Sequence, residues 1–181
     1  MRLFIMRHGV AGEHGDPDYP DDSLRPLTPD GRKKTRRVAR GIAALGIEFD
    51  AVLTSPLARA RQTADLVVAE LELLAEQLIE TTSLSPGASR QALLDELSRQ
   101  DAGASVLLVG HEPDLSQLIS ELIAGDAEDV AVMMRKAALC ELELDEVPPT
   151  QRGELRALLQ PKHLRAIGRG RKRHCRAGDP D

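Results

Sequence analysis

Residues 105 to 113 read SVLLVGHEP, and no other stretch says as much about the fold. Ser105 to Val109 is a short apolar run with valine near both ends. It is too short for a helix of its own and lacks the polar alternation of a half-exposed strand. Such a run is expected to be a strand buried on both faces, the kind found in parallel sheets covered by helices. Gly110 ends the run and permits a sharp turn, and Pro113 opens a helix expected to reach about Ala124. His111 is therefore delivered to the carboxyl end of a buried strand.

Two more segments have the same design. Residues 2 to 6 (RLFIM) form a short apolar strand that stops at Arg7-His8-Gly9, and residues 51 to 54 (AVLT) form one that stops at Ser55-Pro56. Between them lies a loop from Val10 to Leu27, rich in Gly, Asp and Pro, which gives a helix little chance. Thr28-Pro29-Asp30 then marks a helix start: Thr28 suits the cap, Pro29 the first helical position, and Asp30 the positive end of the dipole. Val38, Ile42 and Leu45 recur at helical spacing, and Gly46 is a natural stop.

A second helix is expected from about Leu57 to Leu74, an edge strand over Leu78 to Thr82, and a loop from Ser83 to Ser89. Ser89 caps a further helix to about Arg99. Residues 137 to 144 (AALCELEL) suit a final strand that need not run parallel to the others. Alternation of strands with helices predicts an α/β fold, a three-layer sandwich whose central, mostly parallel sheet is covered by helices on both faces.

A length of 181 residues with 41% hydrophobic content suits one well-buried domain, assigned to residues 1–160. Residues 161–181 read as a basic C-terminal tail, expected to be a disordered, solvated end. The tail holds seven Lys/Arg against two Asp/Glu, which leaves residues 1–160 with 17 against 27. As an alternative, the tail is an electrostatic handle for nucleic acid, for an acidic partner or for the acidic body itself. Residues 161 to 167 suit a short docking turn.

Aromatic residues make up only 2% of the chain, too few for a platform that stacks single-stranded nucleic acid, so nucleic acid is not an expected partner. Cys140 and Cys175 have no spacing that suggests a metal clip or redox pair, which favours a reducing compartment. The apolar run before Arg7 is too brief for a signal peptide, and no run approaches a membrane span. A cytoplasmic protein is expected.

The expected strands place chemistry at their carboxyl ends, where ligands bind in sheets of this kind. Arg7-His8, Ser55 to Arg61, and Gly110-His111 all fall at such ends, gathering two histidines and several arginines. A phosphoryl group carries negative charge on its non-bridging oxygens, and its transfer is catalysed by positioning and electrostatic stabilisation. Arginine offers those oxygens a permanently charged planar fork. A neutral imidazole attacks phosphorus and holds the group until water releases it.

The RHG of residues 7–9, the segment TSPLARARQTA of residues 54–64 and the segment LLVGHEP of residues 107–113 together resemble the histidine phosphatase superfamily. That resemblance implies a phosphoglycerate mutase-like fold. It also implies roles: His8 as nucleophile, Arg7 and Arg59 as phosphate ligands, and His111 as the second histidine that polarises the phosphate. Leu24 to Gly31 (LRPLTPDG), the terse loop LSPG at 84–87 and the compact size are similar to the SixA-like phosphohistidine phosphatase branch, over roughly residues 1 to 146. Val10 and Ala11 stand where mutases of the superfamily carry polar residues for a sugar acid, which favours an open site and a phosphohistidine carried by a protein.

Glu112 has two readings: a general acid for the leaving group, or a cap for the helix that begins at Pro113. Ser55 has no Gly-x-Ser-x-Gly elbow around it and reads as a turn residue. Arg61 reads as a surface ion-pair residue, and His14, His163 and His174 as solvated. No histidine pair has the spacing of a zinc site, so neither a metal nor a cofactor is expected. The leading expectation is hydrolysis of phosphohistidine on a protein. Its competitors are a phosphatase of a small phosphorylated metabolite using the same residues, and an inactive binding module, against which the intact quartet argues.

Overall fold

Strand β1 (Arg2–Arg7) shows how the sequence builds the layers. Leu3 and Ile5 point to one side of the sheet and Phe4 and Met6 to the other, and all four are fully buried. A strand that is apolar on both faces must be covered on both, and the chain supplies helices to each. The computed structural model describes residues 1–169, and every strand and helix below lies within them.

Six strands form one sheet in the order β3-β2-β4-β1-β5-β6. Strands β2 (Ala51–Thr54), β3 (Leu78–Glu80) and β4 (Ser105–Gly110) join β1 in parallel pairings: β1 with β4, β4 with β2, and β2 with β3. Strand β5 (Leu139–Glu143) runs antiparallel to β1, and β6 (Glu154–Leu159) antiparallel to β5. The expected mostly parallel sheet is therefore present, with an antiparallel pair completing one edge.

Helices α1 (Pro29–Ala44) and α2 (Ala58–Leu71) cover one face, where Val38, Ile42, Ala60, Ala64 and Val67 meet Phe4, Met6, Val52, Leu107 and Val109. Helices α3 (Arg90–Leu97) and α4 (Asp114–Ala124) cover the other, with Leu93, Leu97, Leu115, Leu118 and Ile119 against Leu3, Ile5, Leu53, Val106 and Leu108. The caps follow the expected residues. Thr28 accepts from Gly31 N and Ser89 from Ala92 N, each satisfying a backbone donor that the first helical turn leaves free. Helix α2 stops at Leu71, short of the expected Leu74, because Glu72 takes a left-handed conformation at φ 57°.

Two elements depart from the sequence reading. Residues 154–159 (ELRALL) were not expected to be a strand, yet they form β6 by pairing with β5. Pro161–Ile167, assigned above to the tail, is helix α5, which packs on α1 with Leu164 fully buried. The approach is close enough that a Cβ on Gly41 would lie 2.1 Å from the Leu164 carbonyl oxygen. The packed body thus continues through α5. The expected disorder of the tail beyond it, with His174 and Cys175, falls outside the described residues.

Candidate active site

The register of the sheet brings the sequence-predicted residues together. Arg7 pairs with Gly110 at the ends of the parallel neighbours β1 and β4, and His8 N extends the ladder to the Gly110 carbonyl at 3.0 Å. The next residues on the two strands are then side by side, and the rings of His8 and His111 lie 5.2 Å apart between centroids. On the other side of β4, Ser55 N donates to the Val109 carbonyl, so the end of β2 borders His111 as well. Arg59 follows on the first turn of α2 and is buried.

His8 is 6% exposed. Burial, the larger effect, and the cations Arg59 and Arg7 with neighbouring His111 hold its imidazole down at about 3, so the ring is neutral in ordinary buffers. Its Nδ1 lies 2.7 Å from the Gly9 carbonyl oxygen, which only accepts. The ring hydrogen therefore sits on Nδ1, and Nε2 keeps its lone pair. That is the electronic form an imidazole nucleophile needs. The neighbouring backbone is held in turn: Gly9 N donates to Thr63 Oγ1 at 2.9 Å, and a Cβ on Gly9 would stand 2.2 Å from Thr35 Oγ1.

Three nitrogens around His8 are buried and have no partner among the described residues: the donors Arg7 Nε and Arg59 Nε, and His111 Nδ1. The rest of each side chain is anchored. Arg7 donates from one terminal nitrogen to the Met134 carbonyl at 2.9 Å. Arg59 donates to the Asp22 carbonyl at 2.8 Å and pairs with the Asp22 carboxylate at 3.0 Å. His111 Nε2 lies 2.9 Å from Ser55 Oγ. Burial, with Arg59 adding to it, holds the His111 ring at about 4, so it too is neutral. Buried polar groups are almost always paired. Two unpaired guanidinium N–H groups beside two histidines, with both guanidinium charges, are suited to an anion with several acceptor oxygens.

Sequence reasoning missed the other half of this electrostatic arrangement. Asp22 lies in a single 3-10 turn inside the loop expected to be structureless, and there it joins Arg25, Arg59 and His14. The bond from Arg25, ahead of His14 and Arg59, holds the Asp22 carboxyl well below the usual carboxylate range. Arg25 is itself buried, with a second bond to the Gly12 carbonyl at 2.7 Å. An Asp-Arg pair only three residues apart was the one local signal; the partner Arg59, far along the chain, could not be read from it.

The remaining candidates fall as follows. Arg61 makes exposed ion pairs with Asp65 and Glu80. His14 and His163 are exposed. Ser55 does close the turn into α2, where it accepts from Leu57 N, but it also meets His111. Glu112 Oε1 accepts from Ser116 N at 3.2 Å in the first turn of α4, and none of its hydrogen bonds among the described residues reaches the quartet. Pro113, at the cap position, offers no side-chain bond, so Glu112 does that work. Among the described residues no group of three His, Cys, Asp or Glu side chains could hold a metal ion, and no helix is long and apolar enough to cross a membrane.

The profile of the histidine phosphatase superfamily (branch 1) matches residues 3–84. Phosphohistidine phosphatase SixA of Escherichia coli is 36% identical over 148 residues, which cover 81% of this chain and 87% of that protein. The chain belongs to the histidine phosphatase superfamily. Within the superfamily it falls in the SixA-like branch: the solved structure of the protein histidine phosphatase SixA complexed with tungstate superposes with a TM-score of 0.77 at 30% identity. That superposition covers 91% of this chain and 99% of the other. A phosphoglycerate mutase from Bacillus anthracis, at 14% identity, shares the fold with a TM-score of 0.68 over 93% of this chain and 96% of its own. The expected phosphoglycerate mutase-like architecture is thus the one observed.

Proposed function

We propose that this SixA-like phosphatase hydrolyses phosphohistidine on a protein through a covalent intermediate on His8. The observation that carries the reading is the set of buried, unpaired nitrogens on Arg7, Arg59 and His111 around a neutral His8 whose Nε2 lone pair is free. Nε2 attacks phosphorus in line, the bond from phosphorus to the substrate's imidazole nitrogen breaks, and the released imidazole takes a proton from water. A water molecule then attacks phosphorus on His8, its proton leaves to solvent, and inorganic phosphate departs as the His8 ring is restored. Arg7, Arg59 and His111 hold the non-bridging oxygens through both steps; the two guanidinium charges, with the hydrogen bond from neutral His111, stabilise the transition state.

One observation supports phosphohistidine over an alkyl ester. An imidazole is a far better leaving group than an alkoxide, so little acid assistance is needed, and Glu112 is engaged as a helix cap. The tungstate carried by the SixA structure is a tetrahedral oxyanion, which supports a phosphoryl-binding site of this kind whatever the leaving group. The reading assigns the enzyme to the cytoplasm. The test offers the purified enzyme a phosphohistidine-bearing protein and a panel of phosphorylated metabolites and compares kcat/KM. The protein substrate is expected to be turned over most efficiently. A metabolite turned over equally well or better would replace this reading with the small-substrate one.

A further inference from the structure

Ser55, at the end of β2, is fully buried, and its Oγ accepts from Leu57 N at 3.3 Å. The same oxygen lies 2.9 Å from Nε2 of His111, which is buried too. Two hydrogen placements fit that distance. If Nε2–H donates, Ser55 Oγ accepts twice and its own hydroxyl hydrogen, sealed in the protein, has no acceptor among the described residues; such an orphan is costly. If Ser55 Oγ–H donates to the Nε2 lone pair, every polar atom of the serine is used. Burial, reinforced by Arg59, keeps the ring neutral, so its single hydrogen then sits on Nδ1.

The second placement leaves its one unpaired hydrogen on Nδ1, which is buried and without a partner among the described residues and which a bound anion would satisfy. Strand β4 lies between β2 and β1, and the ring tied to the β2 side through Nε2 keeps Nδ1 as its free nitrogen, with its centroid 5.2 Å from that of the His8 ring. A lone pair on Nδ1 would repel phosphoryl oxygens; an N–H there binds them. An unconstrained imidazole favours hydrogen on Nε2, so the useful form has to be imposed.

We propose that Ser55 is a positioning residue for phosphoryl transfer: its hydroxyl donates to His111 Nε2, fixes the Nδ1–H tautomer and aims that N–H at the group carried by His8. This rests on the reading of His111 as a contact to the transferred phosphoryl group. It is tested first without turnover, by long-range proton–nitrogen correlation spectra of ligand-free enzyme labelled with ¹⁵N-histidine, the His111 signals being assigned by their loss in His111→Gln.

Wild type is expected to show Nδ1 protonated and Nε2 accepting, Ser55→Ala to move hydrogen to Nε2, and Ser55→Thr to keep the wild-type pattern. In parallel, kcat on the phosphohistidine protein is expected to fall about 10- to 100-fold in Ser55→Ala, with KM changing less, and to recover in Ser55→Thr. Hydrogen on Nε2 in wild type overturns the proposal even where a variant fails to fold, and so does an unchanged tautomer in Ser55→Ala. Full activity of His111→Gln would instead remove the reading of His111 itself, a separate result from the tautomer.

Discussion

Acidification should destabilise this protein through its two site histidines before its carboxylates titrate. The folded state holds His8 at about 3 and His111 at about 4, in both cases mainly by burial, against 6.5 for an unperturbed ring. As pH falls through about 6.5 the unfolded chain takes up a proton on each ring while the folded chain does not, so stability is lost as pH falls and regained as it rises. Each ring adds a slope of about 1.4 kcal/mol per pH unit, so going from pH 7 to about pH 4.5 the pair removes about 5 kcal/mol. That is a large part of the stability of an ordinary domain. The Asp22 carboxyl, depressed by its bond from Arg25, adds a loss only below the usual 3.8.

The assay is urea unfolding followed by circular dichroism across this range, in buffers free of phosphate, because a bound anion would raise both histidines and mask the effect. His8→Gln should remove about half of the slope, and a His8→Gln, His111→Gln double variant nearly all of it. A flat profile between about pH 6.5 and 4.5, or an unchanged slope in the double variant, would refute the argument that both rings are buried neutral.

Glu112→Gln is expected to cost well under about 1 kcal/mol in stability and to leave hydrolysis of both phosphohistidine and alkyl phosphates nearly unchanged, as befits a helix cap; parallel melting curves and kcat measurements check it. A selective loss on alkyl phosphates of about 10² or more would instead make Glu112 a general acid. Exhaustive chelation should leave kcat intact, because Arg7, Arg59 and His111 supply the polarising groups; activity lost to a chelator and restored by a divalent ion would point to metal-assisted chemistry.

The core strands were legible because burial on both faces leaves a composition mark: RLFIM, AVLT and SVLLV have no polar alternation, and all three proved buried. The caps Thr28 and Ser89 were legible because capping is a contact within one helical turn. Strand β6 was not, since Glu, Leu, Arg and Ala are good helix formers, and only pairing with β5 makes ELRALL extended. The same holds within the site. His8, Arg59 and His111 stand in recognisable segments, and so does Ser55, but the bonds of Asp22 to Arg59 and of Ser55 to His111 join positions 37 and 56 apart and could not be read from them. Docking of α5 on α1 rests on Gly41, whose significance appears only beside the Leu164 carbonyl.

The central claim, that His8 Nε2 carries the phosphoryl group, is tested by mixing enzyme with a phosphohistidine protein, quenching within the first turnover under acid-free conditions, and locating phosphate by mass spectrometry and phosphorus NMR. The expected result is a phosphoramidate on Nε2 of His8 that forms and decays at rates able to support kcat, with no turnover in His8→Ala. Hydrolysis at the normal rate by His8→Ala, or phosphate held on another residue, would contradict the account.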